Sequence, residues 1–133
     1  MSNLPLDRLM RELASFLGTR LDFERGIYRL SVPLPLGRRQ EVSASVRQDD
    51  DGRQIIAFVS TVGAARRDID AWRLLQSNGH YVYCRVALLG TVVAVIACQL
   101  LHTAQPEEVL LMLREVAQTA DQLERQIFIA DQY

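Results

Sequence analysis

The apolar residues of this chain repeatedly change period, and that alternation limits the possible folds more than any motif does. Leu6, Leu9, Met10, Leu13, Phe16 and Leu17 fall three and four apart, which predicts a helix with one buried face. Ser2 or Asn3 is placed to cap its start, Pro5 suits its first turn, and Gly18 can end it in a left-handed conformation. After Gly26 the period becomes two. Tyr28, Leu30 and Val32 alternate with Arg29 and Ser31, and Val42, Ala44 and Val46 alternate with Glu41, Ser43, Ser45 and Arg47, so two strands are expected. Pro33, Pro35 and Gly37 between them mark a loop or an edge. Asp49-Asp50-Asp51-Gly52 forms a polar hairpin tip before a third strand over Ile55 to Val62.

The helical period returns with Ile69, Trp72 and Leu75 on one face, Asp68 or Asp70 near the start and Asn78-Gly79 as the stop. A second hairpin is expected from Tyr81 to Leu88 and from Val92 to Leu101, turning at Gly90-Thr91. Both strands carry apolar residues on both faces, which suits central strands or strands covered by a partner. From Pro106, with Glu107 and Glu108 in the first turn, the positions Val109, Met112, Leu113, Val116, Ala120, Leu123 and Ile127 define a long amphipathic helix. Strands joined by short turns pair antiparallel, and helices must cover a sheet face. The expected class is α+β in one domain spanning residues 1–133, in the order α-βββ-α-ββ-α.

Composition then excludes several function classes. With 15 basic residues, all of them arginine, against 16 acidic ones, the net charge is -1 and there is no global field for a polyanion, so nucleic acid is not an expected partner. Val86 to Cys98 is the most apolar stretch, but it is shorter than the roughly 20 residues of a membrane span and is broken by Gly90-Thr91. Met1 to Asp7 lacks a basic segment followed by an apolar one, so no signal peptide is expected. The two cysteines, Cys84 and Cys98, do not make a disulfide scaffold. A cytoplasmic protein with reduced thiols is the expectation.

Two stretches resemble known families. Leu9 to Phe16, Leu17-Gly18, Leu21 and Gly26-Ile27-Tyr28-Arg29-Leu30 are similar to the opening of the type III secretion chaperone-like fold. Leu74-Leu75, Asn78, the paired strands and the long last helix through Leu123-Glu124 resemble the related YbjN-type family of bacterial sensory transduction regulators. The resemblance implies a bacterial, cytoplasmic, non-enzymatic protein, commonly a homodimer. Secretion chaperones of this fold hold an extended effector segment along apolar surface. The chain's balanced charge and its Leu88-Leu89-Gly90-Thr91-Val92-Val93 turn, without an acidic-Gly tip, depart from that pattern, so a general protein-binding or regulatory module comes first and a chaperone for a specific effector second.

No residue pattern points to catalysis or to a cofactor. His80 and His102 lie near element ends, with no oriented partner in the sequence. Cys84 and Cys98 flank the Gly90-Thr91 turn and are expected across from one another if its loop has three residues, yet there is no CxxC or HxxxH spacing for a metal. Asp49 to Asp51 resembles the start of a calcium loop, but Arg53 and Ile55 stand where further oxygens would be needed. Arg38-Arg39 and Arg66-Arg67 could fork onto an anion, without aromatic residues to stack bases. Ser43, Ser45 and Ser60 lack the sharp elbow of a nucleophile.

Surplus apolar surface is the better clue. Val92, Ala94 and Ile96, with Val82 and Val86, leave one strand face apolar, and Leu110 and Leu111 lie off the main stripe of the last helix. Trp72, the one tryptophan, is equally placed to be core or contact; the chaperone resemblance implies that its helix can serve as a dimer contact. Trp72, Val92, Ala94, Ile96, Leu110 and Leu111 are therefore the expected protein-binding residues.

Overall fold

The structure, a computed structural model, describes residues 4–129. Helix α1 (Leu4–Leu17) is followed by strands β1 (Leu21–Glu24), β2 (Ile27–Pro33), β3 (Arg39–Gln48) and β4 (Gln54–Ala64). Helix α2 (Ala71–Asn78), strands β5 (Arg85–Leu89) and β6 (Val92–Leu100) and helix α3 (Pro106–Leu123) complete the order, and α3 runs on into a π-helical turn, Glu124–Ile129. The strands form one antiparallel sheet in the order β1-β2-β3-β4-β6-β5. The α+β class stands as expected, with six strands instead of five. The additional one, Leu21–Glu24, is four residues long and mostly exposed, so it carries too little alternation to be read as a strand.

Helix α1 ends as its sequence suggests. Gly18 takes φ 63°, and the Thr19 and Gly18 amides return to the Ala14 and Ser15 carbonyls, which closes the last turn. The expected cap at Ser2 or Asn3 lies outside the described residues. Between β2 and β3, Pro35–Gly37 form a 3-10 turn with Leu36 and Gly37 at positive φ. At the β3–β4 tip the Asp49 carboxylate accepts the Asp51 and Arg53 amides and the Arg53 Nε. That carboxylate ties the turn together.

One face of the sheet holds the core. Tyr28, Leu30 and Val32 on β2, Val42 and Ala44 on β3, Ile56 and Phe58 on β4, and Val93, Val95 and Ala97 on β6 join Leu6, Met10 and Leu13 of α1 and the buried stripe of α3. Tyr28 stitches the layers. Its ring is buried, and its hydroxyl donates to Asp7 Oδ1 at 2.9 Å while Arg11 Nε holds Asp7 Oδ2 at 2.8 Å. Burial, then the Asp7 carboxylate, pushes the Tyr28 phenol up to about 12, and the Arg11 and Tyr28 hydrogen bonds keep Asp7 below its ordinary value.

Helix α2 lies on this same side, with Ile69 just before it and Leu74 within it packed against the core. Asp70, one of the two expected start residues, caps it by accepting the Arg73 amide at 3.1 Å. The helix runs beside the sheet edge. Asn78 accepts the Val86 amide at 2.8 Å and donates to the Val86 carbonyl at 3.2 Å, occupying the outward backbone groups of edge strand β5.

Candidate functional site

Because side chains alternate along a strand, the core residues of β6 fix where its remaining residues go. Val93, Val95 and Ala97 point to the helices, so Val92, Ala94 and Ile96 share the opposite face with Cys98 and Leu100. Register extends that face. Ile96 stands between Val59 of β4 and Arg85 of β5, Ala94 between Thr61 and Ala87, and Val92 opposite Leu89. The outer row Ile55–Leu100 lies toward the other end of the two strands. Since the three helices pack on the core side, no helix among the described residues covers this apolar strip. Ile55, Ala57, Val59, Val92, Ile96 and Leu100 are half-buried, Leu89 is exposed, and Ala94 is buried without belonging to the core.

The strip is more polar toward β3 and β2, where Ser43, Ser45, Arg29 and Arg47 share the face. The expected apolar face therefore exists, with corrections to its membership. Val86 pairs with Val95 and faces the helix side, and Val82 precedes β5, which starts at Arg85 instead of Tyr81. Residues 82–84 are held otherwise. The Glu115 carboxylate of α3 accepts the amides of Val82, Tyr83 and Cys84 at 2.9, 2.7 and 2.7 Å. Burial works against the charge, but these three amides hold Glu115 below the ordinary glutamate range. That half-buried acceptor is not visible in the sequence, because Glu115 sits at a position that a helical stripe assigns to solvent.

Helix α2 presents a second surface. Trp72 is 78% exposed and Leu75 62%, so the expected face of Ile69, Trp72 and Leu75 points outward except at Ile69. The reading of Trp72 as core is excluded. Beside α2, Leu74, Leu75, Val86, Leu88 and Val93 line an apolar groove of about 300 Å3 between the helix and β5.

Leu110 and Leu111 form part of a third surface, on the helix layer. Leu110 is half-buried and lines a groove of about 460 Å3 with Phe16, Pro106, Gln105, Glu12 and Glu107, while Leu111 is 56% exposed. The six expected contact residues thus divide among α2, the open sheet face and the α1–α3 surface. Phe16 belongs by its spacing to the buried face of α1, yet it is 70% exposed.

The candidates for chemistry stay apart. His80 and His102 are exposed, and no group of three metal-ligating side chains occurs among the described residues. The turn at Gly90-Thr91 has two residues and pairs Leu89 with Val92, so Cys84 and Cys98 do not oppose each other. Cys84 is buried on the core side with its Sγ 3.6 Å from Thr119 Oγ1, and Cys98 is exposed on the open face, 3.6 Å from Arg47 Nη2. Burial, with Glu115 close by, pushes the Cys84 thiol up to about 12. Arg38 pairs with Asp121, Arg39 donates to Ser31 and Thr19, and Arg66 binds Asp68 and the Ile127 carbonyl under the Phe128 ring. Ser60 is buried between Gln40 and the Glu41 carbonyl.

The order α-ββββ-α-ββ-α, with its helices on one sheet face, matches solved structures. One is a chain of the crystal structure of the Yersinia pestis type III secretion chaperone SycH in complex with a stable fragment of YscM2, at TM-score 0.59 and 13% identity, covering 87% of this chain and 97% of that one. Another is from the HopA1–SchA chaperone–effector complex, at TM-score 0.65 and 11% identity, covering 92% of this chain and 94% of that one. The fold is that of type III secretion chaperones. At such identities the likeness extends to the fold alone. No protein-family model matches the chain, and no curated protein is significantly similar to it. No helix among the described residues is long and apolar enough to cross a membrane.

Proposed function

We propose that this chain is a non-enzymatic, homodimeric protein-binding module of the bacterial cytoplasm that holds a partner protein or peptide through apolar surface. The observation that carries the reading is the helix-free sheet face at Val92, Ala94 and Ile96, bordered by Val59 and Leu89. A strip of this kind is costly to leave in water and is what an apolar partner segment covers. The chaperone fold supports it, since both solved relatives were crystallised or determined as complexes with a protein. Trp72 and Leu75 on α2, with Leu88 beside them, are assigned to contact with a second copy; a large exposed tryptophan on a short helix suits an interface anchor.

The alternative is a type III secretion chaperone serving one effector. The likeness to the SycH and SchA structures favours it, while the YbjN-type resemblance of the second half of the chain and the balanced charge favour a regulatory module. Sedimentation over a wide concentration range, together with an array of overlapping peptides from proteins encoded beside this gene, tests the proposal. A dimer weakened by Trp72→Ala and an apolar peptide released by Ile96→Asp are expected. A strict monomer that retains no peptide would overturn it, and a secretion apparatus absent from the genome would remove the alternative.

A further inference from the structure

The groove between α1 and α3 is lined by apolar side chains and by two carboxylates. Phe16 closes the last turn of α1, Pro106 and Leu110 belong to the start of α3, and Glu12 and Glu107 flank them. Each helix contributes its carboxylate about one turn before an apolar residue: Glu12 before Phe16, and Glu107 before Leu110 and Leu111. Neither Glu12 nor Glu107 has an ion-pair partner among the described residues. Of the nearby cations Arg11 is bound to Asp7, while Arg8, one turn before Glu12, and Arg114, two turns after Glu107, form no ion pair with either carboxylate.

A third negative element adds to these two. The last turn of α1 has no basic residue, so no side-chain charge offsets its carbonyl end beside Phe16. The amino end of α3 is positive, but Glu107 and Glu108 both lie in its first turn and offset it. An apolar floor between unpaired carboxylates repels an acidic segment and favours one whose apolar residues are followed, a turn away, by arginine or lysine.

Resting on the protein-binding reading above, we infer that the α1–α3 groove docks a basic amphipathic helical segment of the partner. Its leucine-like side chains fill the space between Phe16 and Leu110, and its cations meet Glu12 and Glu107. The groove is on the helix layer, away from the open strip of the sheet, so one partner can engage both surfaces.

The probe is a synthetic helical peptide with leucines three and four apart and arginines one turn away, compared with a copy carrying glutamates for the arginines. Titration of the full chain at low salt, with amide chemical-shift mapping, should show the arginine peptide at Glu12, Phe16, Glu107 and Leu110. The glutamate peptide should bind on the order of three- to tenfold more weakly, since each exposed ion pair contributes modestly. Salt and the double variant Glu12→Gln/Glu107→Gln should erase that difference. Phe16→Ser should abolish binding of both peptides with an unchanged melting curve, because the ring is exposed. Equal binding of the two peptides, shifts confined to another surface, or no binding at all would each overturn the inference. Shifts on the open sheet face would leave the protein-binding reading standing without it, whereas that reading falls only with the sedimentation and peptide-array tests.

Discussion

Helix α3 and helix α2 both carry apolar residues at helical spacing, yet α3 buries eight side chains and α2 buries none. The difference lies in what each helix can reach. Helix α3 has 18 residues and lies across the sheet, so its whole stripe from Val109 to Leu123 meets β2, β3, β4 and β6. Helix α2 has 8 residues and sits beside the edge strand, where Leu74 alone turns inward and Trp72 and Leu75 face out. Helices shorter than about 12 residues are marginal in water. Helix α2 therefore depends on its Asp70 cap and the Asn78 bonds to Val86. Periodicity reports that a helix has an apolar face; it does not report whether the chain itself supplies the cover.

The sharpest way to break this contrast is to truncate one side chain on each helix. Leu113 is fully buried, and Leu113→Ala should cost about 2–5 kcal/mol in equilibrium urea unfolding, through lost transfer energy and the cavity left behind. Trp72→Ala should change the stability of the monomer by no more than about 0.5 kcal/mol, as for other exposed positions, while shifting sedimentation toward the smaller species. Equal losses for the two variants in dilute samples would mean that Trp72 is covered by its own chain.

A smaller effect tests how the segment after α2 is tethered to α3. Glu115 accepts three amides from residues 82–84, so Glu115→Gln, which turns an amide donor toward those N–H groups, should cost on the order of 2 kcal/mol at neutral pH. The sign with pH follows from the direction of the shift. The folded-state value lies below the ordinary 4.5, so the stabilisation is present above that value and is lost as pH falls through the folded one. Acid unfolding of the two proteins should converge at low pH. A gap that stays constant down to acid would show that Glu115 acts by packing instead of charge.

Much of the frame was legible in the sequence. The stripes of α1 and α3, the alternation of β2, β3 and β4, and the turns at Asp49–Gly52 and Gly90-Thr91 are local signals, and each appears where its chemistry put it. The contact candidates were legible only as surplus. The face of Val92, Ala94 and Ile96 follows from alternation, but its lack of helix cover depends on all three helices choosing the other face, which is a tertiary fact. Val82 lies outside the strip because Glu115, far along the chain, draws residues 82–84 out of the strand, and Val86 because its register with Val95 turns it to the helix side. Phe16 follows the spacing of its helix and still points to solvent, since α1 is already filled by Leu6, Met10 and Leu13 at the sheet.

The weakest perturbation, in energy, bears most directly on the two sheet faces. Shifting a strand register by one residue exchanges its faces, so the two-residue turn that pairs Leu89 with Val92 places Cys84 and Cys98 on opposite sides, where a three-residue loop would have matched them. Cys98→Ser should leave stability within about 0.5 kcal/mol of the parent, because its thiol is exposed. Reactivity should separate the two thiols much further. A thiol-specific reagent should modify Cys98 promptly in dilute native protein and reach Cys84 only as fast as the chain opens, since burial against Thr119 holds that thiol protonated. Mild oxidation should give no intramolecular disulfide; finding one would refute the register and with it the membership of the open strip. Concentration supplies the last discrimination. If the second copy covers the strip as well as α2, the Cys98 rate falls as protein concentration rises and recovers in Trp72→Ala. If it covers α2 alone, the rate stays constant while sedimentation reports a dimer, leaving Val92 and Ile96 open to a different partner.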